Sequence, residues 1–384
     1  MKIFNLCCKL QELLLNHKEN DCFDDVQEFL ENNQMFENQK KTLATMRLFC
    51  RNYMLSPIVE ILKKIPIINF SHEKIDSYMA HDKIIQRYDI IILLLFLSKH
   101  KSDDYNYNHR SFIYRTPKEE KLNNLHTNSP IVNFIKEDDV DSLQDLINQK
   151  NLGVNDQIER GYDETDRSLY NCLPIHFAAY FGSVKCFKYL LNNTDQNHFS
   201  SLLKYAVIGG NYDIIHLAEA KYQRTDAYSA SKIMSCAIEY MRNDLIEYLT
   251  EALNIEIDGN AYNQCVYSSN YLGLLKLIEI NHDRINDNGG TGSSIFDIAA
   301  FEGYFDFIQF LSKDSIVDML QENDYSKTAL HSAARMNRLN IVKYLVEKCK
   351  IPYNIMSSSY GTPLNVAESY GMDKVCEYLK NCAS

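Results

Sequence analysis

The chain of 384 residues is 45% hydrophobic, enough for a packed interior, and carries a net charge of −11 at neutral pH. Residues 1–129 hold 18 basic and 17 acidic side chains, and residues 130–384 hold 22 and 34, so the acidity belongs to the second part. Such a surface repels phosphate backbones, which excludes nucleic acid as the expected partner, and the eleven cysteines form neither a C-x-x-C pair nor a Cys/His cluster at zinc spacing.

The opening MKIFNLCCKLQELLL is broken by Asn5, Lys9, Gln11 and Glu12, and lacks the form of a secretory leader. Val26, Phe29 and Leu30 recur at helical spacing. Leu43 to Tyr53 suggests a second helix, and Ile58 to Leu62 a third that Pro66 stops. The apolar run Ile90–Leu97 reads as a buried helix rather than a strand because its flanks are helical, and it is too short to span a membrane. A helical domain with its own small core is therefore expected over residues 1–100. Residues 101–129, rich in Asn, Ser, Asp and Lys around Pro117, read as a connector.

From Pro130 the chain repeats itself. PIVNFIKEDDVDSLQDLI holds two short helices without an alanine pair, a degenerate first unit that would cap the rest. LPIHFAAYFGSVKCFKYLL at Leu173–Leu191, KTALHSAARMNRLNIVKYLV at Lys327–Val346 and GTPLNVAESYGMDKVCEYL at Gly361–Leu379 then share one pattern. Thr328 and Thr362 stand where a helix N-cap accepts a backbone N–H, and Pro174 and Pro363 stand where a missing N–H costs nothing. Ala178 and Ala333 are small enough for a neighbouring helix to approach. Gly182, Gly210, Gly303 and Gly371, four residues further on, stop the first helix and turn the chain. The first small position is placed at Ala178, Ala206, Ala237, Val266, Ala299, Ala333 and Ala367. The middle units are short, and the loss is expected in the hairpin loops.

The segments T-A-L-H-S-A-A from Thr328 and T-P-L-N-V-A-E from Thr362 resemble the ankyrin repeat. The resemblance implies an all-α chain: an ankyrin-repeat α-solenoid over residues 130–384, about seven repeats plus the degenerate N-terminal cap, behind the small helical domain. The arrangement is also similar to ankyrin proteins found in large, diverged families of some parasitic protists. In the family the motif imidazole ties adjacent repeats together, so His176 and His331 are expected to be structural. Partners of the family usually meet the concave face, where the two residues after the alanine pair vary. On that template the protein-binding candidates are Tyr180, Phe181, Tyr240, Phe301, Arg335, Met336 and Tyr370, types favoured at interface cores. Burial of these rings between shortened repeats is the competing expectation. Hairpin-tip candidates are Asp166, Arg167, Asn323, Asp324, Tyr325, Ser358 and Tyr360.

Chemistry is harder to find. Gly289-Gly290-Thr291-Gly292-Ser293-Ser294 has the look of a phosphate loop but no Walker lysine, and it falls where an inter-repeat turn belongs. Asp163, Glu164 and Asp166 lack the spacing of a calcium loop. No catalytic residues, metal or cofactor are expected. The function expected is a non-catalytic, monomeric interaction scaffold or adaptor in the cytoplasm, where scattered thiols stay reduced. The acidic array would steer a partner with a basic surface, although acidity that simply keeps the array soluble is the favoured reading. Two alternatives stand beside it: an effector that inhibits an enzyme by covering its surface, and an enzyme with its active site in residues 1–129.

Overall fold

A computed structural model describes residues 2–16, 28–29, 32, 129–150, 153–158, 167–221, 227–313 and 316–383. The helices expected from Leu43 to Leu97, residues 101–128 of the connector and the acidic cluster at Asp163–Asp166 lie outside the described residues. Among those described, every regular element is a helix. They are α1 (Lys2–Asn16), α2 (Pro130–Lys136), α3 (Val140–Lys150), α4 (Pro174–Phe181), α5 (Val184–Asn193), α6 (Leu202–Gly209), α7 (Tyr212–Glu219), α8 (Ala227–Glu239) and α9 (Ile246–Glu251). They continue with α10 (Gly259–Ser268), α11 (Tyr271–Ile280), α12 (Ile295–Glu302), α13 (Phe305–Leu311), α14 (Ala329–Arg335), α15 (Leu339–Glu347), α16 (Pro363–Ser369) and α17 (Asp373–Ala383). None is long and apolar enough to cross a membrane. Packing divides the chain into an N-terminal unit, Leu10–Leu245, and a C-terminal unit, Met1–Lys9 with Ile246–Ser384.

One local device recurs among the described pairs. In four pairs the first helix starts on a polar cap: the Ser129, Asp258, Ser294 and Thr362 side chains accept from the backbone N–H three residues on. It ends on a single left-handed residue, at Asp138, Gly182, Gly210, Met241, Ser269, Gly303, Asn337 and Gly371. The next helical segment opens two residues later, as at Val184, Tyr212, Tyr271, Phe305, Leu339 and Asp373. Left-handed backbone costs an L-residue energy, so glycine is the favoured occupant, and the tight turn forces the conformation where glycine is missing.

This landmark corrects the register of one unit. Ser269 is the left-handed residue there, so the first small position is Cys265, not Val266. Both side chains are fully buried, and an apolar pattern cannot tell them apart. With that change the left-handed residues Ser269, Gly303, Asn337 and Gly371 fall 34 apart. Upstream, the shortening falls between the helix pairs, where a 3₁₀ turn at Gln196–Ser201 separates α5 from α6.

In the C-terminal unit the long spacing leaves room for hairpins. Backbone bonds close them between Gly289 and Ser293, Asn323 and Lys327, and Ser357 and Gly361. The glycine-rich stretch Gly289–Ser294 is therefore the first of these turns, as its position suggested. The core beneath is formed by Ala299, Ala300, Leu330, Ala333, Ala334, Ile341, Val342, Leu345, Ala367, Val375 and Leu379. Small alanines let α12, α14 and α16 pack side by side. Arg338, just after the left-handed Asn337, reaches back to the last turn of α12 and donates to Phe301 O at 3.2 Å. Arg242 does the same in the N-terminal unit, on Ile208 O at 3.1 Å. A cation on carbonyls at a helix C-terminus forms a charge-assisted bond and opposes the negative end of the dipole.

Candidate functional site on the first helices of the C-terminal unit

The motif histidines are ties, not ligands. His331 is buried; its Nδ1 accepts the Thr328 backbone N–H at 3.2 Å, and its Nε2 faces Gly361 O at 3.1 Å in the next hairpin. His176 repeats the arrangement, with Leu173 N–H on Nδ1 at 3.2 Å and His198 O at 3.4 Å from Nε2. A ring that accepts at one nitrogen and donates at the other is neutral. Burial favours the same form, holding His331 below its ordinary value and pushing His176 down to about 4. The Thr328 hydroxyl also turns to His331 Nδ1, at 2.9 Å, rather than capping the helix backbone. Thr362 does cap, accepting from Asn365 N–H at 3.2 Å while Asn365 Oδ1 takes the Thr362 N–H.

Asp297 stands at the histidine position of α12 and serves a related purpose. It is buried and receives the Asn323 side-chain amide at 3.0 Å and the Ser332 hydroxyl. Asn323 in turn accepts the backbone N–H groups of Tyr325 and Lys327 at 2.9 Å, which shapes the hairpin tip. Asn323, expected at an exposed tip, is a buried structural residue. Tyr325, Asp324, Ser358 and Tyr360 are exposed. Asp166 and the Arg167 side chain lie outside the described residues.

The seven interface candidates divide. Tyr180 and Tyr240 are only 6% and 7% exposed, so as surface residues they are corrected. Their rings meet edge-on at 6.4 Å, and the Tyr240 hydroxyl lies 2.6 Å from the Ser168 hydroxyl. With the short spacing of the N-terminal unit, these large side chains fill space within it. Phe181, beside them, is half-buried under Lys136, whose ammonium lies 5.4 Å from the ring centre.

The four candidates of the C-terminal unit fall at two neighbouring positions at the ends of successive first helices: Phe301 and Arg335 two residues before the left-handed Gly303 and Asn337, Met336 and Tyr370 one residue before Asn337 and Gly371. The Arg335 guanidinium lies 4.8 Å from the Tyr370 ring centre and 5.8 Å from that of Phe301. Phe301, Arg335 and Met336 are half-buried, and Tyr370 is 44% exposed. The corrected register adds Tyr267, half-buried at the position that Phe301 and Arg335 hold in the next two units. Burial foremost pushes its phenol up to about 12. Sequence reasoning passed over Tyr267 because the one-residue slip put Ser268 and Ser269 in its place. At the tips, the Lys327 ammonium sits 3.6 Å from the Tyr360 ring centre. Cations over aromatic faces hold such a surface in place without an ion pair.

Nine free thiols are present among the described residues. Burial raises several, Cys186 to about 12, which leaves them protonated and unreactive.

A family model described as "Ankyrin repeats (3 copies)" matches residues 262–357 and again 296–384. A second, "Domain of unknown function (DUF3447)", matches residues 184–276. No curated protein matches the chain. The ankyrin match spans the hairpins, the histidine tie at His331 and the 34-residue spacing, and residues 262–384 of the chain are ankyrin repeats.

Proposed function

We propose that the chain is a non-catalytic scaffold that grips a protein partner on the first-helix face of its C-terminal repeats. Ankyrin repeats generally mediate protein–protein interaction. The observation that carries the reading is the set Tyr267, Phe301 and Arg335 at one position of successive repeats, with Met336 and Tyr370 at the next position and the Tyr370 ring against Arg335. These are interface-forming residue types held partly open to solvent in a frame that buries its small residues for stacking. Free thiols at every described cysteine support a reducing, cytoplasmic setting. The test is affinity capture from source-cell lysate with the full chain, repeated with Phe301→Ala and Tyr370→Ala after their folding is checked. Loss of a discrete set of captured proteins in both variants is expected. Capture identical to wild type would rule the face out.

A further inference from the structure

The face contains two cations that no acid pairs with directly. Lys327 and Arg335 have no ion pair among the described residues, although the array around them is strongly acidic. The neighbouring acids are engaged elsewhere: Glu368 pairs with Lys380 at 2.8 Å, Asp297 holds Asn323 and Ser332, and Asp324 takes the Asn288 amide at 2.8 Å. Lys327 is only 5% exposed, so its stem is anchored, while its ammonium rests on the Tyr360 ring. Burial first, then the Arg335 charge, pushes that ammonium below its ordinary value, and Tyr370 and Asp297 offset only part of this. Arg335 is framed by the Phe301 and Tyr370 rings. Stacking against ring faces leaves the N–H edge of a guanidinium open to a planar, bidentate acceptor.

Two like charges kept together and unneutralised cost stability unless a partner supplies the counter-charge. We infer that Lys327 and Arg335 form the anion-reading centre of this face, and that the partner presents an acidic polypeptide segment with a carboxylate seated between Tyr360, Tyr370 and Phe301. This rests on the scaffold reading above and sharpens it. It also reverses the expectation of a basic partner drawn from the net charge of the whole array, because charge at the contact decides register and specificity.

The test is selection of binders from a random short-peptide display library on the purified full chain. Selected peptides are then synthesised and titrated by fluorescence anisotropy. Peptides carrying Asp or Glu beside an apolar residue should emerge. Their affinity should fall about tenfold on Glu→Gln exchange in the peptide, and similarly with Arg335→Met or Lys327→Met, which keep the aliphatic stems. The double variant Lys327→Glu, Arg335→Glu should select basic peptides instead. Peptides that depend on Tyr370 and Phe301 but bind equally well after Glu→Gln would overturn the acidic-segment inference and leave the face reading standing. Peptides indifferent to Tyr370→Ala, or none at all, would overturn both. Binding by a phosphoserine version while the Glu version is silent would overturn the carboxylate assignment.

Discussion

His331 shows how much one side chain settles. It fixes a cap on its own helix and a carbonyl of the next hairpin, and it can do both only as a neutral ring. The consequence for pH follows from burial, which holds His331 and His176 below their unfolded values. Between pH 6.5 and about 4 the unfolded chain takes up protons that the folded chain refuses. Stability is thus complete above about 6.5 and drains away as pH falls, by about 3 kcal/mol for a ring such as His176. Thermal melts from pH 7 to 4.5 should show this decline. His331→Asn should lessen it and leave the His176 part, since Asn365 shows that an amide can hold the same cap without titrating. A pH slope unchanged in the variant would contradict the assignment. The histidines were legible because their offset from the cap and the alanine pair is fixed. Tyr267 was not, because Cys265 and Val266 are both buried and only the backbone turn at Ser269 tells which begins the pair.

At the scale of elements, the left-handed turn and the N-terminal helix make separate claims. Gly303 has φ of +91°, and a Cβ there would lie 2.8 Å from Arg338 Nε, the group that clasps Phe301 O. Gly303→Ala should therefore cost about 1–2 kcal/mol in urea unfolding, by strain and by a disturbed clasp together. A neutral substitution would show that the turn relaxes freely. Helix α1 was expected to serve a separate domain over residues 1–100. Instead, its Phe4 stacks on Phe310 at 4.1 Å and meets Tyr271 and Phe307 edge-on at 5.0 and 5.7 Å, within the C-terminal unit. Tyr271 also donates its hydroxyl to the buried Asp306 at 2.7 Å. Phe4 is 1% exposed, so Phe4→Ala should remove about 3 kcal/mol, whereas the exposed Asn5→Ala should leave stability within about 0.5 kcal/mol. Equal effects would show that α1 is not seated there. Sequence pattern could not foresee this packing, because periodicity says which face of α1 is apolar and not which partner receives it.

For the whole molecule, the repeat pattern made the architecture readable, and the same pattern hid what is particular to it. Stacking residues recur, so Thr362, Pro363, Ala333 and Gly371 announce themselves. Contact residues vary, and their exposure depends on repeat length. Where units are short, Tyr180 and Tyr240 are absorbed into the interior; where they are 34 apart and carry hairpins, Tyr267, Phe301, Arg335 and Tyr370 stay partly open. The central claim is that a protein partner sits on that face of the C-terminal repeats. Its most direct measurement is site-specific photo-crosslinking in source cells, with a photoreactive phenylalanine analogue in place of Tyr370 or, on the second-helix side, of the exposed Lys343. A discrete adduct from position 370 and none from position 343 is the result predicted here. An adduct from position 343 alone, or the same adducts from both, would contradict it.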